Sequence, residues 1–160
     1  MPNPPPDLPS LLQEFVEARI GVAELLRRAQ ALLPPGSDAS AEILTWLAES
    51  DQMLRLPPGR EPLAQRLREF SAGEIAWEEL DLWAFALEHT QALSPDPAYV
   101  GGGETPEIDL LRAVLAWIEE WQESEERPAA ARLAQVADIL LSEKDPARCL
   151  ERLEQVLERP

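Results

Sequence analysis

The segment EFVEARIGVAEL at residues 14–25 returns 55 positions later as EFSAGEIAWEEL at residues 69–80, with Glu, Phe, Ile, Glu and Leu at the same internal spacing. A phrase written twice in 160 residues points to a supersecondary unit that recurs and stacks on its copy, burying faces that one unit alone leaves open. The same register pairs Leu8 with Leu63, Leu12 with Leu67, Ile20 with Ile75 and Leu32 with Leu87, all at helical spacing. A third helix recurs after a longer connection, because LTWLAE at 44–49 matches LAWIEE at 115–120. The added residues fall in SPDPAYVGGGETP, residues 94–106, where proline and three glycines oppose regular structure. That segment is expected to be a mobile loop. A fainter third copy pairs Phe70 with Leu140 and Leu80 with Leu150, and Asp145-Pro146 supplies its N-cap and first-turn proline.

Proline sets the punctuation. MPNPPP cannot propagate a helix, so residues 1–7 are expected to be a disordered tail ending in the capping residue Asp7. Pro34-Pro35-Gly36 and Pro57-Pro58-Gly59 stop the second and third helices. Ser37, Asp38 or Ser40 caps the third, which carries Ile43, Leu47 and Leu54. The expectation is an all-α protein of about eight helices in two and a half tandem repeats, packed as a compact bundle or a short solenoid. Repeat one spans 8–56, repeat two 62–126 and the half repeat 128–158, within a single helical domain, 8–160. Phe15 and Phe70 are expected to be buried where the first helix of each copy ends, with Ile20 and Ile75 plugging the turn.

The 30 acidic and 14 basic side chains, net −16, are unevenly spread. Residues 61–126 hold 16 of the acidic groups and only 3 of the basic ones. Such a field opposes direct binding to a nucleic-acid backbone and favours a basic protein partner, or simple solubility. Glutamate and arginine interrupt every leucine cluster, so no membrane span is expected. Cys149 is the one cysteine and no secretory signal precedes the body of the chain, which fits a cytoplasmic location.

Catalytic chemistry has little to work with. His89 and Cys149 are the only residues of their types, sixty positions apart, and no G-x-S-x-G elbow is present. Zinc needs several His or Cys ligands, and a helical di-iron site needs Glu three residues before His, where Ala86 stands. Gly101-Gly102-Gly103 has no following lysine to complete a phosphate cradle. No enzyme activity, cofactor or metal is therefore expected.

The five tryptophans are more telling. Trp46 and Trp117 match between copies and are expected in the core. Trp77 stands among Glu74, Glu78, Glu79 and Asp81, and Trp121 lies within EEWQESEE. Glu119–Glu126 places five glutamates at a helix C-terminus, against the macrodipole by about 0.3–1 kcal/mol per well-placed group. Stability does not ask for them there. The expected partner-binding residues are accordingly Glu74, Trp77, Glu78, Asp81, Glu119, Glu120, Trp121 and Glu123, indoles as anchors among steering carboxylates.

The corner from Phe70 to Leu80 resembles, at Phe70, Gly73, Ile75 and Leu80, a corner of bacterial colicin-like immunity proteins; Ala18 replaces the glycine in the first copy. The resemblance implies a small acidic helical protein that neutralises a toxin by binding it, and it carries over no binding residues. Two alternatives stand beside it. One is a nucleic-acid mimic that occupies a DNA-binding enzyme. The other is a structural homo-oligomer, a homodimer in its simplest form, whose tryptophans bury against a second copy.

Overall fold

A computed structural model of the chain describes residues 8–49, 54–55, 59–90, 105–124 and 128–158. The expected tail, 1–7, and loop residues 94–104 lie outside the described residues. Within them are eight helices: α1 (Leu8–Val16), α2 (Val22–Leu32), α3 (Ala39–Glu49), α4 (Glu61–Ser71), α5 (Trp77–Glu88), α6 (Pro106–Ser124), α7 (Ala130–Ser142) and α8 (Pro146–Glu158). Caps account for several starts. Asp38 Oδ1 accepts from the Ser40 and Ala41 amides at 3.1 and 3.3 Å, Thr105 Oγ1 from Ile108 N at 3.2 Å, and Asp145 Oδ2 from Arg148 N at 2.9 Å. Of the three candidate caps for α3, Asp38 is the one used. Pro106, placed by sequence in the loop, is the first residue of α6.

The helices close on one another. α4 packs on α5, α5 on α6, α6 on α8, α8 on α7 and α7 back on α4, a ring of five. α1 packs against α5, α2 on α1, and α3 on α2. One continuous apolar core runs through both parts, with Leu12, Leu25, Leu63, Leu80, Trp83, Leu110, Leu133 and Leu153 fully enclosed. Of the two arrangements anticipated, this is the compact one.

The corners after α1 and α4 share a geometry. Ala18 and Gly73, which correspond in the copy register, both adopt positive φ, 61° and 77°. Ala18 N donates to Phe15 O at 3.0 Å and Arg19 N to Glu14 O at 3.0 Å; Gly73 N donates to Phe70 O at 3.0 Å and Glu74 N to Glu69 O at 2.8 Å. Each pair of bonds satisfies carbonyls that a helix end leaves open, and it needs a left-handed residue at that one position. The corner after α7 closes differently: Glu143 has φ −97° and bonds back to Ile139 O in the ordinary helical pattern.

Two expectations about the corners need correction. Phe15 is fully buried, but Phe70 is only half-buried, as are Ile20 and Ile75. Phe15 is roofed by the Arg66 guanidinium, 5.3 Å from its ring centroid, whereas Phe70 meets Trp77 edge-on at 5.3 Å and keeps an open side. The third helix also ends sooner than expected, at Glu49. Leu54 is buried nonetheless, through an isolated parallel bridge to Thr90, and Gln13 holds the next residue by bonding both Arg55 O (2.8 Å) and Arg55 N (2.9 Å).

Two buried arginines tie α4 and the residue before it to distant helix ends. Arg66 stands where Leu11 does in the first copy, and its Nη2 donates to Ile20 O and, at 3.4 Å, to Phe15 O, while Nη1 pairs with Glu69 at 2.7 Å. Arg60 forks onto Glu107 at 2.6 and 2.9 Å and also reaches Leu140 O at 3.0 Å, Lys144 O at 3.2 Å and Glu143 O. Each puts a cation on carbonyls at a helix C-terminus, where the macrodipole favours it.

Candidate functional site: an acidic groove

α5 reads WEELDLWAFALE, and its faces divide by period. Trp77, Leu80, Trp83, Ala84 and Leu87 point into the core, which leaves Leu82 and Phe85 half-buried on the neighbouring face and Glu78 exposed beyond them. α6 presents Leu115 and Ile118 inward and Glu119 and Glu123 outward. α2 and α3 complete the opposite wall with Val22, Leu26 and Leu44, the last 41% exposed and one of two large apolar side chains so open among the described residues. Together they enclose a groove of about 480 Å³. Its floor is apolar. Its rim carries Glu78, Asp81, Glu88, Glu119 and Glu123, and no basic side chain lines it among the described residues.

The rim is electrostatically strained. Burial pushes the Glu88 carboxyl up to about 7, with help from the like charges of Glu119 and Asp81. Glu78, Glu88, Glu119 and Glu123 take part in no ion pair among the described residues, although seven other carboxylates, from Glu14 to Glu143, do. A groove with an apolar floor and unneutralised carboxylates above it can desolvate a hydrophobic group and pair a cation beside it.

Four of the eight residues expected from sequence to meet a partner, Glu78, Asp81, Glu119 and Glu123, lie together on this groove. Glu74 and Glu120 are exposed but do not line it, and Trp121 is half-buried. Trp77 is a correction: it is 3% exposed, packed against Phe70 and 6.4 Å from the Trp121 ring, and so is not accessible as an anchor. The signal was present, since Trp77, Leu80, Ala84 and Leu87 recur at helical core spacing. Sequence reasoning missed Glu88 and Leu44. Glu88 could have been found as the one acid following the apolar stretch LWAFAL. Trp46 is 8% exposed in the core, while its counterpart Trp117 is half-buried.

The groups that could carry other chemistry are occupied structurally. Cys149 is wholly buried against α7, its Sγ 3.9 Å from Ile139 O, and burial pushes its thiol up, away from the nucleophilic thiolate. His89 follows α5 with Nδ1 2.7 Å from Phe85 O and its ring against that phenylalanine. Among the described residues no three His, Cys, Asp or Glu side chains are grouped to hold a metal ion, and no helix is long and apolar enough to cross a membrane. No protein-family model, curated protein or solved structure matches this chain.

Proposed function

We propose that the chain is a non-catalytic binding module that engages a basic protein through the acidic face of α5 and α6, in the manner of an inhibitor or immunity protein. The observation that carries this is the groove itself, where four carboxylates without ion-pair partners surround an apolar floor at the centre of the most acidic part of the sequence. Charge of one sign gathered around a concave apolar surface raises the encounter rate with an oppositely charged partner, and the floor then supplies burial that holds the complex. The two corners of matching geometry, after α1 and α4, belong to the same reading as parts of the helical scaffold that displays the face. The alternative of a DNA mimic is less favoured, because phosphates offer charge without an apolar floor.

The test is a cellular partner identified by affinity purification, its association rate then compared between wild type and a Glu119→Lys, Glu120→Lys, Glu123→Lys variant at low and high salt. All three side chains are exposed, so helical circular dichroism should be unchanged. Association should slow in the variant at low salt and the two rates should converge at high salt. Equal rates at both ionic strengths would mean that the acidity serves solubility alone.

A further inference from the structure

We propose that the groove between α2, α3, α5 and α6 receives a cationic amphipathic α-helix of the partner, with its apolar face on Leu44 and Phe85 and its basic side chains against Glu78, Glu88, Glu119 and Glu123. This rests on the reading of the chain as a binder of basic proteins and specifies how the partner is held. The floor excludes a simple polycation as the best occupant, because Leu44 at 41% exposure gains nothing from charge and is covered only by apolar atoms. The rim excludes a purely apolar occupant, which would bury carboxylates without pairing them. A helix carrying leucine on one face and lysine or arginine on its flanks meets both demands, the long basic side chains laying their methylene stems over the floor's edge.

Backbone polarity selects a helix over an extended segment. Among the described residues there is no sheet edge, only an isolated bridge at Leu54 and Thr90. An extended peptide in the groove would lay unpaired N–H and C=O groups on apolar side chains, whereas a helix satisfies its own. Length agrees. From Glu78 to Glu88 α5 rises about 15 Å, and from Leu115 to Glu123 α6 rises about 12 Å, room for two to three turns of a docked helix with anchors at i, i+3 or i+4, and i+7.

Charge decides whose helix it is. A second copy brings another −16 to a rim where Glu78, Glu88, Glu119 and Glu123 have no ion pair among the described residues. The chain's own segments 1–7 and 91–104 contain Asp7, Asp96 and Glu104 and no basic side chain. The occupant is therefore a different, basic protein.

A synthetic, end-blocked 14-residue peptide of leucine and lysine, patterned so that leucine forms one helical face, provides the probe; a scrambled peptide of identical composition is the control. Fluorescence anisotropy at physiological salt should give an affinity at least about tenfold higher for the patterned peptide, with helical circular dichroism appearing on binding. Leu44→Glu separates floor from charge, since the side chain is already exposed and glutamate keeps the helix. It should weaken the patterned peptide about tenfold and leave the scrambled one equal or slightly stronger. Equal affinities for the two peptides, or a Leu44→Glu variant that strengthens both, would overturn the groove while leaving the acidic face as a binder of basic proteins. No binding of the patterned peptide at millimolar concentration also refutes the groove. Binding that survives Glu119→Lys, Glu123→Lys undiminished would remove both readings, because neither charge nor groove would then be the cause.

Discussion

Replacing Glu88 with glutamine isolates the electrostatic strain in the groove. The carboxyl is raised from its ordinary 4.5 to about 7 in the folded chain, first by burial and then by Glu119 and Asp81. Between those two pH values the folded state holds a proton that the unfolded state has released, so stability falls as pH rises, and the loss is complete once pH exceeds the folded value. Below 4.5 both states are protonated and Glu88 contributes no pH dependence. At about 1.36 kcal/mol for each pH unit between the two values, the loss could reach about 3 kcal/mol. The groove is open on one side, and solvent screening there reduces the expected figure to about 1–2 kcal/mol. Glutamine imitates the protonated acid and does not ionise. Glu88→Gln should therefore match wild type at pH 4.5 and exceed it at pH 8 by about 1–2 kcal/mol, or about 2–8 °C in Tm for a chain of this size. Chemical denaturation of both proteins across pH 4.5–8 measures the difference directly, and it cancels the pH dependence shared by the other carboxylates. A difference that stays constant across that range would show that Glu88 ionises as it does in the unfolded chain.

The matched corners predict opposite responses to matched substitutions. Ala18→Gly should stabilise by about 0.5–1 kcal/mol, since relief of the left-handed penalty exceeds the added freedom of the unfolded chain, whereas Gly73→Ala should destabilise by about 1–2 kcal/mol. No heavy atom lies within 4 Å of a Cβ built on Gly73, so its effect is torsional; denaturation midpoints that move in the same direction for both variants contradict the shared geometry. Phe15→Ala should cost about 3–5 kcal/mol as a truncated core aromatic, and Phe70→Ala clearly less, because its ring is half open; equal losses in urea denaturation would mean the two sites are equally buried. Arg60→Ala strips Glu107 and the carbonyls ending α7 of their donor, for a loss of about 1–3 kcal/mol. Faster amide exchange in the last turn of α7 and the first turn of α6, beyond the rest of the molecule, is the local signature to look for.

What could be read from the sequence was what depends on local period. Leucines three and four apart, prolines at the first turn and an aspartate before it lie within one helix, and their consequences were visible in the chain: about eight helices, the cap at Asp145, a cap for α3 among Ser37, Asp38 and Ser40, the chain reversal after Phe70. What could not be read depends on which helices meet. Arg66 occupies a core position that leucine fills in the first copy, and nothing near it in sequence says that the carbonyls of Phe15 and Ile20 wait there. Trp77 looked available because its sequence neighbours are acidic, yet on a helix those neighbours point elsewhere and the indole follows Leu80 inward. The groove draws its walls from α2, α3, α5 and α6, so only the rim on α5 and α6, where the acidic excess is concentrated, was foreseeable. Leu44 and Glu88 acquire their meaning from that assembly.

Electrostatics also bears on why the rim is acidic at all. Glutamates favour helix N-termini, and Glu78 and Glu79 in the first turn of α5 are placed accordingly. Glu88 is the last residue of α5, and Glu119, Glu120 and Glu123 lie toward the end of α6; neither helix has a basic residue in its last turn. Glu88 and Glu123, in the last turns, oppose the dipole, and at Glu88 desolvation and the nearby Asp81 and Glu119 add to the strain. Elsewhere the same chain treats helix ends in the opposite way, with Arg66 on the carbonyls after α1 and Arg60 on those after α7. A single surface therefore collects both kinds of unfavourable placement, dipole and desolvation, beside the exposed Leu44. A cation brought into the groove would stand beside Glu88, Glu119 and Glu123 together, whereas Glu120 lies off it. Under the proposed function, a basic partner in the groove would offset this local destabilisation, so the groove, more than the overall charge, motivates that proposal.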